Sequence, residues 1–295
     1  MLLYGKPVAE KIEEQVRVRV ERFRRLTKRS PVLDIILTSD DAASALYVKK
    51  KQEACSRVGI ECRVYQPLEL ADVYQKLRDI KDAGYCHGVI LQLPLPQHMR
   101  SHTKSLFKLI CEERDVDVFN PVNVGLLVQG QPRFLPCTPH AIQAILQHYN
   151  MPVAHRHVVI INRSDVVGKP LSSMLIQDNG EYSNATVTVC HDHTPTNDLR
   201  RIASSADILV VAVGIPDFVK GDLVSSQTVL IDVGINRVDG RVVGDASPEA
   251  VGKVRAYTPV PGGVGPVTVA MILHNTVTAA EKLYGNPFLQ QEVNP

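Results

Sequence analysis

The chain has 295 residues, a formal net charge of +2, 44% apolar and 22% charged residues. That is enough chain for two ordinary domains with separate cores, and the near balance of charge gives no argument for nucleic acid or an anionic membrane as partner. No run of eighteen apolar residues occurs, so no spanning helix is expected. Met1 to Lys6 lack the charged, apolar and small-residue zones of a signal peptide. The six cysteines, at 55, 62, 86, 111, 137 and 190, form no Cys-x-x-Cys pair and no zinc spacing. Reduced thiols in a cytoplasmic protein are the simplest account, and no metal is expected.

Val8 to about Arg25 has the spacing of an amphipathic helix, with Val8, Ile12, Val16, Val20 and Phe23 on one stripe. Its other face mixes Arg17, Arg22, Arg24 and Arg25 with Glu13, Glu14 and Glu21, as a solvated face does. The apolar run Val32 to Leu37 predicts a buried strand. A polar loop, Thr38 to Asp41, then opens a helix reaching about Val58. Tyr47 and Lys51 are four apart on it and share a face. Two readings are open. Tyr47 can be a packing residue and Lys49 to Lys51 a solvated face. Alternatively, the ring offers a flat surface to a planar substrate, and Lys51, its pKa lowered by burial, transfers protons.

Glu61 to Tyr65 predicts a second strand, Leu70 to Ala83 a second helix, and Gly88 to Leu93 a third strand ended by Pro94 and Pro96. This β-α-β-α-β order means a parallel sheet with right-handed crossovers. Ligands of such sheets bind beyond the carboxyl ends of the strands. Gln92 falls at that edge, either as a strand cap or as a group that holds a ligand or a catalytic lysine. Glu113 to Gly125 is irregular and polar. Its Asp115 and Asp117, two apart, suit a metal site, an acceptor for a ligand's N–H groups, or a loop with an Asx-turn. Pro136-Cys137-Thr138-Pro139 precedes a helix from His140 to about Tyr149, with Thr138 as N-cap and Pro139 at the first helical position. The domain change is placed here.

His157 to Ile161 is a strand, followed by Asn162-Arg163-Ser164, then Gly168-Lys169-Pro170 and a helix to about Gln177. Strand, tight turn and helix start make a dinucleotide phosphate site. Asn162 stands where a turn glycine would, being tolerant of positive φ. After the next strand, Ala185 to Cys190, comes Asp192. An acid there accepts hydrogen bonds from ribose hydroxyls and repels a 2′-phosphate, so Asp192 argues for NAD, while Arg163 argues for NADP. Cys190, His191 and His193 are three zinc-type ligands with no fourth in view. Ala206 to Gly214 and Thr228 to Gly234 are two buried strands closing on glycine, where a nucleotide is expected to approach the backbone. Ile235 follows at that edge. Tyr257 to Thr268 is the densest Pro/Gly stretch, either a backbone-presenting loop or a hinge, ahead of a final helix from Val269 to about Leu283. The last dozen residues are expected to form a loose tail.

Seven stretches in this order resemble the methylenetetrahydrofolate dehydrogenase/cyclohydrolase family: Tyr47 to Lys51, Gly88 to Pro96, Asp115 to Asp117, Pro136 to Pro139, Arg163-Ser164 with Gly168-x-Pro170, Asp232 to Asn236, and Pro259 to Pro266. The resemblance implies an α/β enzyme of two lobes, usually a homodimer, with folate between the lobes and the C-terminal helix returning to the first lobe. Residues 1–139 and 268–295 would form the catalytic, folate-binding lobe, and 140–267 a Rossmann-like NAD(P)-binding lobe. The implied reaction oxidises 5,10-methylenetetrahydrofolate by hydride transfer to NAD or NADP, then hydrolyses the methenyl cation to 10-formyltetrahydrofolate, a one-carbon donor for purine biosynthesis.

By the same resemblance Lys51 is the essential lysine and Gln92 orients it. Tyr47 stacks on folate and Asp117 accepts from the pterin N–H groups. Pro261, Gly262, Gly263 and Pro266 border the folate. Asn162, Arg163, Ser164, Gly168, Asp192 and Ile235 line the cofactor site. Val118 departs from the family's usual glycine, which keeps a monofunctional dehydrogenase as the alternative. Asn162 and Asp192 lean towards NAD, although NADP is the commoner family cofactor. No nucleic acid or membrane partner is implied.

Overall fold

The computed structural model describes residues 1–39 and 41–285. Asp40 and the expected tail from residue 286 lie outside the described residues. Helix α1 (Gly5–Thr27) leads to β1 (Val32–Ile36), α2 (Ala42–Val58), β2 (Glu61–Tyr65), α3 (Leu70–Ala83) and β3 (Gly88–Leu91). A 3-10 turn (Gln97–His102), α4 (Thr103–Leu109), α5 (Pro121–Val128) and α6 (Cys137–His148) follow. Then come β4 (His157–Ile161), α7 (Gly168–Leu175), β5 (Thr186–Cys190), α8 (Thr196–Ser204), β6 (Ile208–Val211) and β7 (Val229–Asp232). The hairpin β8 (Asn236–Val238) and β9 (Arg241–Val243), α9 (Pro248–Lys253), β10 (Ala256–Tyr257) and α10 (Val264–Tyr284) complete the chain. No described helix is long and apolar enough to cross a membrane.

Packing divides the chain into two compact units, one of Glu10–Cys137 with the chain from Val269 on, the other of Met1–Ala9 with Thr138–Thr268. The sequence reading placed residues 1–139 together. The first nine pack otherwise because Leu3 N donates to Tyr257 O and Gly5 N to Gly262 O, each at 2.8 Å.

The first unit is built on a parallel sheet in the order β2-β1-β3. Strands β1 and β3 are buried throughout, as continuous apolar runs predict. The stripe Val8, Ile12, Val16, Val20 and Phe23 of α1 is buried as expected. In this unit α10 packs on α1: Arg19 Nη2 meets Glu281 Oε2 at 2.6 Å, and the Phe23 and Tyr284 rings meet edge to face at 5.1 Å. The second unit carries a five-stranded parallel sheet in the order β10-β7-β6-β4-β5.

In both sheets the first strand has its successor on one side and the third strand on the other. This makes a switch point between β1 and β3 in one sheet, and between β4 and β6 in the other. Chain leaving the carboxyl ends diverges there and leaves a crevice for a ligand.

Several boundaries differ from the sequence reading. The stretch expected to be irregular as far as Gly125 becomes α5 after Asn120, whose Oδ1 accepts from Val122 N at 2.8 Å, with Pro121 in the first turn. Helix α6 begins at Cys137, so Thr138 and Pro139 lie inside its first turn rather than at the cap and first position. Helix α10 begins at Val264 and takes in Pro266, which needs no N–H partner so near the start. Helix α8 and the β8–β9 hairpin are additions to the sequence reading.

Candidate active site

Helix α2 starts on Asp41, whose carboxylate accepts from Ser44 N at 2.9 Å. The next turns carry Tyr47 and Lys51 on one face. Lys51 is only 3% exposed. Its Nζ donates to Gln92 Oε1 at 2.8 Å and lies 4.9 Å from the centre of the Tyr47 ring. Gln92 follows β3 directly. Its backbone N donates to Ile36 O at 2.9 Å, so it extends the β1–β3 ladder by one step. Its side-chain Nε2 donates to Leu93 O at 2.7 Å, which turns the amide oxygen towards the lysine. Of the readings open at Lys51, the solvated face is excluded.

Asp115 and Asp117 separate in role. Asp115 is fully buried, and its carboxylate accepts from Phe119 N at 3.1 Å, Asn120 N at 2.8 Å and Asn123 Nδ2 at 2.9 Å. It shapes the loop, and among the described residues it belongs to no cluster of metal-type ligands. Asp117 lies against the Cys137 thiol, close enough for its charge to act on Lys51 and Tyr47. Between the Asp117 turn and α5 sits Val118, at φ 65° and 2% exposed. A β-branched residue in the left-handed region is strained. Asn275 of α10 braces this turn, its Nδ2 donating to Val116 O at 2.8 Å and Leu135 O at 2.9 Å.

Burial sets the electrostatics. It lowers the pKa of Lys51 from the ordinary lysine range, against the opposing pull of Asp117 and nearby thiols. It raises Asp117, against the opposing effect of Lys51. It raises Tyr47 as well, and the Asp117 charge adds to that rise. The result is an amine that gives up its proton more readily than lysine in water, beside an aromatic face and a carboxylate.

The second site candidate lies in the other unit, at the β4–β6 switch point. Asn162 is not at positive φ, contrary to the expectation of a glycine-like turn. Instead its side chain ties the turn together. Oδ1 accepts from Ser164 N at 2.9 Å, Ser164 Oγ at 2.7 Å and Gly168 N at 2.9 Å, while Nδ2 donates to Ala212 O beyond β6 at 2.5 Å. Gly168 is required by contact, since a Cβ there would lie 2.0 Å from Asn162 O. Lys169 N donates to Ser164 O at 3.1 Å and Leu171 N to Val167 O at 2.9 Å, so the first turn of α7 is bonded internally. Arg163 Nη2 meets Asp192 Oδ1 at 2.5 Å, with 48% and 67% of their side chains exposed. The two residues that argued for opposite cofactors are partners.

A pair of buried acids frames this edge. Asp245 accepts from Val213 N at 2.6 Å, Gly214 N at 3.1 Å, Ile215 N at 3.0 Å and Asn236 Nδ2 at 2.8 Å. Asp232 accepts from Gly234 N at 2.9 Å, Asp245 N at 3.0 Å and Ala246 N at 2.9 Å, and burial pushes its pKa up to about 6. A Cβ on Gly234 would lie 2.2 Å from the Asp245 carboxylate. The absence of a side chain there makes room for the acid. Asp245 escaped the sequence reading, because a lone acid after a hairpin carries no motif. The loop it holds leaves Ile215 and Ile235 exposed, at 52% and 65%.

Among the described residues, Cys190, His191 and His193 do not bring their ligand atoms together, whereas Cys111, Glu112 and Glu113 do. Pro261, Gly262, Gly263 and Pro266 fall in the loop between β10 and the first turn of α10. There Gly5 packs so closely that a Cβ on it would overlap Gly263 O.

Residues 3–117 match the family model for the tetrahydrofolate dehydrogenase/cyclohydrolase catalytic domain, and residues 136–284 match the model for its NAD(P)-binding domain. The bifunctional protein FolD of Exiguobacterium sibiricum is 41% identical over 290 residues, covering 95% of this chain and 99% of that protein. The FolD of Rhodopirellula baltica is 42% identical over 291 residues, covering 95% and 96%. Among solved structures, the bifunctional 5,10-methylenetetrahydrofolate dehydrogenase/cyclohydrolase of Thermoplasma acidophilum superposes with a TM-score of 0.87 at 36% identity, covering 97% of this chain and 100% of that one. The Trypanosoma brucei enzyme, solved with NADP and an inhibitor, gives 0.89 at 31% identity, covering 97% and 99%. This chain belongs to the tetrahydrofolate dehydrogenase/cyclohydrolase family.

Proposed function

We propose that the protein oxidises 5,10-methylenetetrahydrofolate with NAD(P)+ and hydrolyses the resulting methenyl cation to 10-formyltetrahydrofolate, with Lys51 as the acid–base group. Membership of the family, with both of its domains present, supports the two activities. The observation that carries the role of Lys51 is its buried amine, bonded to Gln92 at the β1–β3 switch point.

The bound nicotinamide supplies the hydride acceptor. The chain supplies position and protons. Tyr47 offers its ring face to the folate and Asp117 accepts from the pterin N–H groups. A cationic methenyl group beside Lys51 favours the neutral amine, since like charge lowers a lysine's pKa further. The neutral amine then takes a proton as water attacks the methenyl carbon, while Gln92 keeps its nitrogen aimed. Pro261, Gly262, Gly263 and Pro266 are assigned to the folate border. The lobes proposed for these roles are 1–139 with 268–295, and 140–267, except that the first nine residues pack with the second.

For the cofactor we propose a preference for NAD. Asn162, Ser164 and Gly168 shape the turn, and Arg163, Asp192 and Ile235 face the nucleotide. In the Arg163–Asp192 pair the guanidinium is already neutralised, and the carboxylate accepts from ribose hydroxyls while repelling a 2′-phosphate. His191 and His193 stand within 4 Å of the same carboxylate, so removing it leaves a cluster suited to phosphate. The six free cysteines support a reducing, cytoplasmic setting. A homodimer is proposed on the family pattern, and light scattering of the purified chain tests it. Initial rates with methylenetetrahydrofolate and each nicotinamide, following methenyl absorbance and reduced nicotinamide together, test the function. Faster turnover with NADP, or methenyl that disappears no faster than in buffer, contradicts the corresponding part.

A further inference from the structure

The amino ends of β1, β2 and β3, at the opposite end of the three-stranded sheet from Gln92, border a cavity of about 530 Å³. Its wall holds three guanidinium groups, Arg29, Arg63 and Arg114, against one carboxylate, Glu61. Arg63 Nε donates to the buried Asp34 at 2.7 Å, and Glu61 lies 3.8 Å away. Arg114 Nη1 donates to Ile80 O at 3.0 Å and Lys81 O at 3.1 Å. Even so, Arg63 Nη2 and Arg114 Nε are shielded from solvent with no acceptor among the described residues. The buried Asp34 Oδ2 is without a donor in the same way, so these shielded atoms are internal to the wall. What lines the cavity is three guanidinium groups against one carboxylate, a positive surface that suits an anion.

The wall also carries flat surfaces. The Arg63 guanidinium lies 4.3 Å from the centre of the Tyr85 ring. The His87 and Tyr284 rings lie 6.0 Å apart, tilted by 31°. His87 Nδ1 accepts from Val32 N at 3.0 Å, which leaves its Nε2 as the donor. Burial and the field of the three arginines hold the His87 pKa down to about 4, so the pocket's charge is felt by its own lining. The volume is that of a small-molecule site and exceeds what a bare inorganic ion fills.

We propose that this cavity is a second ligand site, separate from the Lys51 site, for a small organic anion that carries a carboxylate or phosphate on a flat ring. The planar guanidinium forks suit either anion, and the rings suit the flat part. The inference does not depend on the roles assigned to Lys51 or Asp192.

The test is calorimetric titration of the full chain with phenyl phosphate and with benzoate. Phenol and inorganic phosphate are run as controls, and the His87 ring signals are followed by NMR. Saturable one-to-one binding of either aryl anion with Kd below about 1 mM, with a shift of the His87 signals, is expected. Phenol and inorganic phosphate bind at least tenfold more weakly, because each lacks half of the recognised chemistry. Binding of phenyl phosphate alone or of benzoate alone names the anion. Arg29 is exposed on a turn, so Arg29→Gln keeps the fold and the dehydrogenase KM while weakening the aryl anion about tenfold. Arg114→Gln, with its thermal unfolding checked, gives a second reading of the same loss. No binding, or binding that leaves His87 unmoved and is indifferent to Arg29→Gln, overturns the proposal.

Discussion

Lys51 and Asp192 are gathered at comparable places, around the switch point of a parallel sheet, yet their surroundings are opposite. The lysine is 3% exposed and held by one amide oxygen. The aspartate side chain is 67% exposed and shares a surface ion pair with Arg163. The difference follows from the work proposed for each. A group that must trade a proton near neutral pH needs desolvation to move its pKa, and desolvation needs burial. A group that reads ribose hydroxyls needs reach, and a surface pair worth about 0–1 kcal/mol is readily exchanged for a ligand. The buried acids of the second unit, Asp232 and Asp245, do no chemistry in this account. They fix the loops from which the exposed residues reach out.

Removing the amine breaks this comparison most directly. Lys51→Met is expected to slow methenyl hydrolysis about 10³-fold while leaving NAD(P) binding and the folded state in place. Stopped-flow hydrolysis and cofactor titration check this, and lost cofactor binding contradicts the role. Next comes the frame. Asp245→Ala leaves the amides of Val213, Gly214 and Ile215 without their acceptor, and should cost about 3 kcal/mol or more in urea unfolding. A loss under about 1 kcal/mol means the loop is held by other contacts.

The two units should also answer acid in opposite senses. His87 has a folded pKa near 4, below the ordinary 6.5. Between those values the unfolded chain binds the proton and the folded chain does not. Its stabilising share is thus complete above pH 6.5 and is lost as pH falls to 4, by about 3 kcal/mol. Asp232 is raised to about 6, so its share is complete below pH 4 and is lost as pH rises to 6. His87→Gln should flatten the acid-side loss of stability, and Asp232→Asn should steepen it; the same profile in both variants and the parent contradicts the assignment. Asp192→Ser should move the NADP-to-NAD ratio of kcat/KM about tenfold towards NADP. An unchanged ratio shows that Asp192 faces elsewhere. The smallest effect is at Val118. Val118→Gly relieves left-handed strain of about 1–2 kcal/mol but gives up a buried side chain, so the net change in stability should stay within about 1 kcal/mol.

The β-α alternation, the parallel sheets and the stripe of α1 were legible because they rest on periodicity over many residues. Lys51 and Gln92 were legible as a pair because a helix after the first strand and the end of the third strand must meet at the switch point. Whether Lys51 was buried was not legible, since spacing gives a face and not its exposure. The left-handed backbone at Val118 was hidden too, because valine signals the opposite preference, and only the family's glycine pointed to it. Asn162 misled for a related reason: tolerance of positive φ is one use of asparagine, and its amide can instead make four hydrogen bonds to three neighbours. The partnership of Arg163 and Asp192 needed coordinates, because residues on successive strand ends can face together or apart.

The Lys51 amine, its pKa lowered by burial below the ordinary lysine range, is proposed to work in hydrolysis from that state. The pH profile of methenyl hydrolysis, with the rate of Lys51→Met subtracted at each pH, tests it. The rate should rise with pH through one ionisation well below about 10.4, the unperturbed lysine value. A difference that is flat with pH, or that rises only near the ordinary lysine pKa, contradicts it.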